Sequence, residues 1–404
     1  MHDQFDNPVS CQSSAALHAY DRAVDAHLHA CLGVPEALQE ALEEAPDFAL
    51  AHALRALVLA GRGQGGDARE AIGLARATNQ ADARERSQIE LFGAVIEGRT
   101  GAALAAAIEH AGRYPGDVIA SSTAVGAYGL FAFSGRADHD AARLAFVEAL
   151  AAHHGDEFAW LLANRGWARI ECGRVDEGMA MARQALALRA MNGHNAHILM
   201  HGFYESKQPR EALAFLDQWL PSYPDNALLW GHLQWHAALA RIELGQIDQA
   251  VRLLLGPITD YLPRGTPFMG LADMASLLWR LGLRGQPALP WALAQEHAER
   301  HFPKGANVFG ELHLAMLAAV RADRDALDAA LERLSRIADT GQQGAPVAMQ
   351  WVGALRAMLD DDRAAARGLL DACCQDAVRL GGSNAQRNVI GLTRETLRIP
   401  MIGT

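Results

Sequence analysis

Basic charge is scarce in this chain: 36 Lys and Arg stand against 47 Asp and Glu over 404 residues, for a formal net charge of -11. Binding to a phosphate backbone needs Lys and Arg clustered on one surface, and no long basic run is present, so nucleic acid is not an expected partner. Long apolar runs are missing too. Charge or glycine breaks each one well before the roughly 20 residues of a membrane span, so no membrane role is expected. The opening "MHDQFDNPVSCQSS" has neither the basic nor the apolar region of a secretory signal, which makes the cytoplasm the expected location. Cysteine is sparse: Cys11, Cys31, Cys172, Cys373 and Cys374 are odd in number and lack C-x-x-C spacing. Free thiols are expected, with Cys373 and Cys374 buried in a helix. There is no H-E-x-x-H, no Gly-rich phosphate loop, no G-x-S-x-G and no convincing Cys/His arrangement, so hydrolysis by a familiar nucleophile has no support.

What is present is helical. Half of the residues are hydrophobic and 21% are charged, with alanine and leucine dominant. Helical periodicity runs almost unbroken from Ser13 to Arg398, interrupted by short Gly, Pro or Asp turns, and no alternating strand pattern appears. The expected fold is all-α.

Internal similarity refines this. "ARIECGRVDEGMAMARQAL", "GFYESKQPREALAFLDQWL" and "ARIELGQIDQAVRLLLGPI" align so that Glu171, Glu205 and Glu243 fall in register, 34 and 38 residues apart. Each unit reads as the end of one helix, a tight turn, and a second helix opening with an acidic residue near its positive N-terminus, the tetratricopeptide (TPR) arrangement. Pro46 marks another such junction. A lone hairpin cannot bury its apolar stripe, whereas stacked hairpins bury each other's and wind into an α-solenoid with a concave face lined by first helices. The expected organisation is an N-terminal repeat array over 1–255, an irregular Gly- and Pro-rich joint or closing segment over 256–305, and C-terminal repeats with a cap over 306–404. Apolar ends of such a stack suit self-association into a homo-oligomer, and "SNAQRNVIGLTRETLRIPMIGT" is the expected cap.

Histidines concentrate in "NGHNAHILMHGFYE" and "LWGHLQWHAALARIE". Residues four apart lie one turn above each other on a helix, so His197, His201 and Glu205 form one column, and His232, His236 and Glu243 a second. Both columns fall on first helices of successive units. Imidazole pairs at this spacing can hold one metal ion, with a carboxylate completing the set or fixing a ring tautomer; the same geometry suits proton transfer without metal. The bland alternative is a set of hydrogen-bonded core histidines. His297 and His301, flanked by charges, read as a solvated face. Trp167, Trp230, Trp235, Phe203 and Tyr204 lie near the columns and serve either as cavity walls or as ordinary repeat packing.

The chain resembles the tetratricopeptide repeat protein 38 family over most of its length. "VSCQSSAALHAYDRAV" and "ALEEAPDFALAHAL", with His52, resemble the family's opening, and "DARERSQIE" and "YPGDVIA" two later landmarks. Its paired H-x-x-x-H helices match His197 with His201 and His232 with His236, with Trp235 as the aromatic before the last histidine. "DMASLLWRL" matches through Asp273, Ser276 and Arg280, and "NVFGELHLAM" through His313, with Glu311 where an aspartate is typical. Two positions depart: Gln88 replaces a histidine and His194 a tryptophan. The resemblance implies a repeat fold with a shared histidine and carboxylate pocket, and no particular reaction.

Two functions are weighed. The first is a repeat protein enclosing a small-molecule pocket, with His197, His201, His232, His236 and His313 at its polar centre and His52 and Trp235 among its binding residues. Glu205, Glu243 and Asp273 orient or charge-balance the rings, and Arg280 meets an anionic ligand. Its chemistry, if it is an enzyme, is general acid/base or metal-assisted, on a small polar or acidic substrate, with the metal a divalent Zn, Fe or Mn held by His197, His201, His232 and His236. The second is an adaptor that holds a peptide or protein partner in an open groove, with its histidines scattered or exposed.

Overall fold

A computed structural model describes residues 1–155 and 157–397 of the chain. Every regular element among the described residues is helical, apart from one isolated bridge between His2 and Pro8. The fold is an all-α, TPR-like stack of helical hairpins. Most helices pack on a chain neighbour, and first helices also pack on the next first helix. Ala159–Glu171 meets Gly193–Glu205, which meets Trp230–Glu243, followed by Pro267–Leu283, Val308–Val320 and Ala345–Leu359.

Burial separates the two helix classes. Gly193–Glu205 is buried without a break from Asn195 to Phe203, whereas its partner Pro209–Trp219 buries only Ala212, Leu213 and Leu216. A helix buried on all sides belongs inside and one with a single apolar stripe belongs outside, so the first helices form the inner wall. Close approach within a hairpin is set by glycine: a Cβ on Gly178 would lie 2.5 Å from the Gly166 carbonyl oxygen.

The turns explain the sequence register. Gly173, Gly245, Lys207 and Ala322 all take left-handed φ, at 80°, 70°, 56° and 53°. The following N–H then bonds a carbonyl five residues back: Arg174 to Arg169, Gln246 to Arg241, Gln208 to Phe203, Asp323 to Ala318. This is a helix-ending Schellman bond, which favours glycine because a Cβ in the left-handed region costs about 1–2 kcal/mol. Ala322→Gly is therefore expected to stabilise the protein by about 0.5–1 kcal/mol after the flexibility glycine adds to the unfolded chain. A urea midpoint that falls in this variant would contradict it.

The irregularity of 256–305 begins at a π turn, Leu254–Ile258, which carries Pro257. Pro267–Leu283 in the same stretch is a regular helix buried from Leu271 to Leu281. The stack does not simply end at its last hairpin. Asn384–Arg387 and Val389–Thr396 turn back across the inner wall, where Val389–Thr396 packs on Pro267–Leu283. Asn384 Nδ2 donates to Glu205 at 2.9 Å, Gln386 Nε2 to Tyr128 Oη at 2.7 Å and Asn388 Nδ2 to Tyr204 Oη at 2.6 Å. The segment expected as a cap thus lies over the concave face up to residue 397, and residues 398–404 are outside the described residues. No described helix is long and apolar enough to cross a membrane.

Candidate metal centre

Two neighbouring first helices carry two histidines each at i and i+4, and packing brings the pairs face to face. One ring nitrogen from each of His197, His201, His232 and His236 lies within 4.8 Å of all the others, and all four rings are buried. His197 Nε2 is 2.8 Å from His201 Nε2 and 3.0 Å from His232 Nε2. Four nitrogens around an ion at about 2.0–2.1 Å define a tetrahedron with edges of roughly 3.4 Å, inside the observed spread.

Asp273, from Pro267–Leu283, fixes one tautomer. Its two carboxylate oxygens lie 2.9 and 2.8 Å from His232 Nδ1, which therefore donates and leaves His232 Nε2 bare. His197 Nε2 then faces two other ring nitrogens at hydrogen-bond distance. A single ring nitrogen carries either a proton or a lone pair, so it cannot donate to one neighbour and accept from the other. At best one N–H is split between two acceptors, and His236 Nε2 has no partner among the described residues. Extra protons are no remedy. Burial, followed by the charges of neighbouring histidines, pushes His197, His201 and His236 well below the usual histidine range. A cation at the meeting point satisfies every lone pair at once, so the donor set fits a metal ion.

The surroundings are apolar and aromatic. Trp235 stacks on His232 with centroids 5.2 Å apart and an 11° tilt, and donates its Nε1–H to Ser276 Oγ at 3.2 Å. Trp167 meets His201 edge-on at 4.7 Å. Burial raises the Asp273 carboxyl, against the pull of His232 and Arg280. A cavity of about 250 Å³ between Gly193–Glu205 and Trp230–Glu243, lined by Phe203, Tyr204, Lys207 and Glu243, reaches His236.

No family model matches the chain. Among solved structures, the human IFIT1 dimer with m7Gppp-AAAA is similar at a TM-score of 0.49 and 14% identity, over 98% of this chain and 90% of that one. Nothing about this chain's ligand follows from that likeness.

The other expected site residues lie apart from the four nitrogens. Glu205, one turn beyond His201, accepts from Asn384, and Glu243 is exposed at the cavity rim. Neither carboxylate orients a ring. Arg280 is engaged by its own chain, donating to the Ser276 and Ala385 carbonyls at 3.2 and 2.6 Å with its guanidinium over Trp235. His313 gives Nδ1 to the Phe309 carbonyl at 2.8 Å, is held down at about 4 by burial, and is not one of the four. His52 is bonded through Nε2 to the Pro46 carbonyl at 2.8 Å. His297 is buried rather than solvated, with Nε2 on the Pro267 carbonyl at 2.8 Å; His301 is exposed. Sequence reasoning missed Arg143, Asp140 and Arg387, which crowd the inner wall beside Trp167 and Glu171. Nothing in their spacing marks them, because an arginine on an amphipathic helix ordinarily faces water.

Proposed function

We propose that this protein binds a divalent transition metal at His197, His201, His232 and His236 and uses it on a small polar substrate. The observation that carries the proposal is the convergence of bare ring nitrogens that hydrogen bonding among neutral imidazoles cannot satisfy. An all-imidazole set favours zinc or iron over manganese, which prefers oxygen donors. A bound ion would supply Lewis acidity and a water whose pKa is lowered toward neutrality. Asp273 orients His232 and returns one negative charge, Trp167 and Trp235 exclude water, and the cavity beside Tyr204 and Glu243 gives access to His236. Membership of the tetratricopeptide repeat protein 38 family and a cytoplasmic location belong to the same proposal.

A second role is favoured by the donor count: four histidines complete a tetrahedral shell, as structural sites do. The adaptor alternative fares less well, since the histidines are buried and the chain's own C-terminal segment lies over the concave face.

Metal analysis of untagged protein tests the centre directly. About one equivalent is expected in the wild type and none in the His201→Ala, His236→Ala double variant. No metal in the wild type, or equal metal in both, removes the proposal. Cobalt substitution separates the two roles: a visible spectrum that shifts with azide indicates an open coordination position, and an unresponsive one a closed structural site.

A further inference from the structure

Beside the histidine centre, the inner wall holds buried N–H groups that have no acceptor among the described residues. Arg143 is 0% exposed; its Nη2 donates to Asp140, while its Nε and Nη1 are unpartnered. Its guanidinium carbon sits 5.3 Å from the centroid of the Trp167 ring, and Trp167, 1% exposed, has an unpartnered Nε1. Trp167 in turn touches His201, whose Nδ1 is the next buried nitrogen without a partner. His201 uses its other nitrogen toward His197, so when that nitrogen serves as a ligand, Nδ1 carries the proton.

Acceptors nearby are mostly engaged. Asp140 is shared by Arg143 and His139, and Glu171 Oε2 accepts from the Asn384 N–H at 3.3 Å with Arg387 3.8 Å away. Burial lifts the Glu171 carboxyl to about 7, so its unpartnered Oε1 has a proton to offer as readily as a lone pair. Each buried donor left without an acceptor costs about 1–3 kcal/mol, and more when charged. Several in one region, where the two guanidinium groups of Arg143 and Arg387 face Asp140 and a Glu171 carboxyl raised to about 7, call for an oxygen-rich, negatively charged partner from outside the chain.

We infer that this region is a binding subsite for a small oxyanion, a carboxylate or phosphate group, held by Arg143, Trp167 Nε1–H and His201 Nδ1–H next to the histidine centre. The inference deepens the proposed function by naming the charge class of the substrate, and it rests on that proposal only through His201. The charge balance agrees: a dication among neutral imidazoles, offset by Asp273 alone, leaves positive charge for an anion to neutralise. Arg143 takes the part expected of Arg280.

Thermal unfolding of the full chain with inorganic phosphate or acetate, against chloride at equal ionic strength, tests the subsite. A rise of a few degrees is expected with one of the two oxyanions and not with chloride, and the anion that produces it identifies the group. The rise should vanish in Trp167→Phe, which keeps an aromatic ring and removes the N–H, and in Arg143→Lys, which keeps the charge and removes the planar fork. No oxyanion-specific rise in the wild type, or an undiminished rise in both folded variants, overturns the inference. Should the variants not fold, a crystal structure of the wild type with the active anion decides: density within hydrogen-bond distance of Arg143 supports the subsite, and its absence overturns it. Repeating the titration after chelation keeps the two proposals apart, because an oxyanion response in metal-free protein stands even if no metal is ever found.

Discussion

Lowering the pH from 7 to 5 is expected to unfold the chelator-treated protein, with a loss of stability on the order of 5 kcal/mol. Burial holds His194 down at about 3, and His27 and His313 at about 4, against an ordinary 6.5. His197, His201 and His236 are pushed down as well. As pH falls through 6.5 the unfolded chain takes up these protons and the native chain does not. Their stabilisation is therefore complete above 6.5 and drains away below it, by about 1.4 kcal/mol per pH unit for each fully buried histidine. His27 and His194 keep a partly exposed edge and contribute less. Four carboxyls oppose the trend: burial raises Glu171 to about 7 and Asp21 to about 6 and lifts Asp3 and Asp273 as well, so the native state binds their protons first and gains stability on acidification. The histidines outnumber them. Urea midpoints across this range measure the balance, and a midpoint that holds steady from pH 7 to 5 contradicts it.

The second large effect concerns Asp273. Replacing it with asparagine is expected to weaken metal binding about 10–100-fold, the usual consequence of losing a carboxylate behind a ligating histidine. Asparagine keeps the shape but removes the negative charge, and its amide presents either an oxygen or an N–H to His232 Nδ1. Competition with a chromophoric chelator reads the affinity. The thermal midpoint of the metal-free variant serves as the control, because Asp273 is itself buried and a general loss of fold would mimic a loss of affinity. Wild-type affinity in a folded Asp273→Asn protein would show that the carboxylate does not tune the site.

The repeat was legible in sequence because its turns are chemically marked. Glu171, Glu205 and Glu243 recur two residues before the left-handed position in each unit, and only Lys207 among these turns replaces glycine. The histidine columns were legible because i, i+4 spacing is local. The carboxylates in those columns misled: a helix advances about 5.4 Å per turn, so Glu205 and Glu243, though on the same face, ride past the point where the rings meet. Asp273 lies 41 residues from its partner His232, a separation with no periodic signature, and only the family resemblance singled it out. Arg280 and Glu205 were misjudged for a common reason. Their partners Ala385 and Asn384 arrive from a segment more than a hundred residues away, which no local pattern announces.

The returning C-terminal segment has a consequence for how the chain acquires its structure. An open solenoid can nucleate at any hairpin and spread to its neighbours. Here Gln386 reaches Tyr128 across 258 residues, and Arg379 reaches the Gly135 carbonyl across 244. Such distant pairings become possible only once the intervening repeats are stacked, so the covering segment docks late. While the chain is being synthesised, the first helices bearing all four histidines emerge well before the segment that covers the inner wall. The nascent protein thus passes through an uncovered form, and that interval is when an ion would enter most freely.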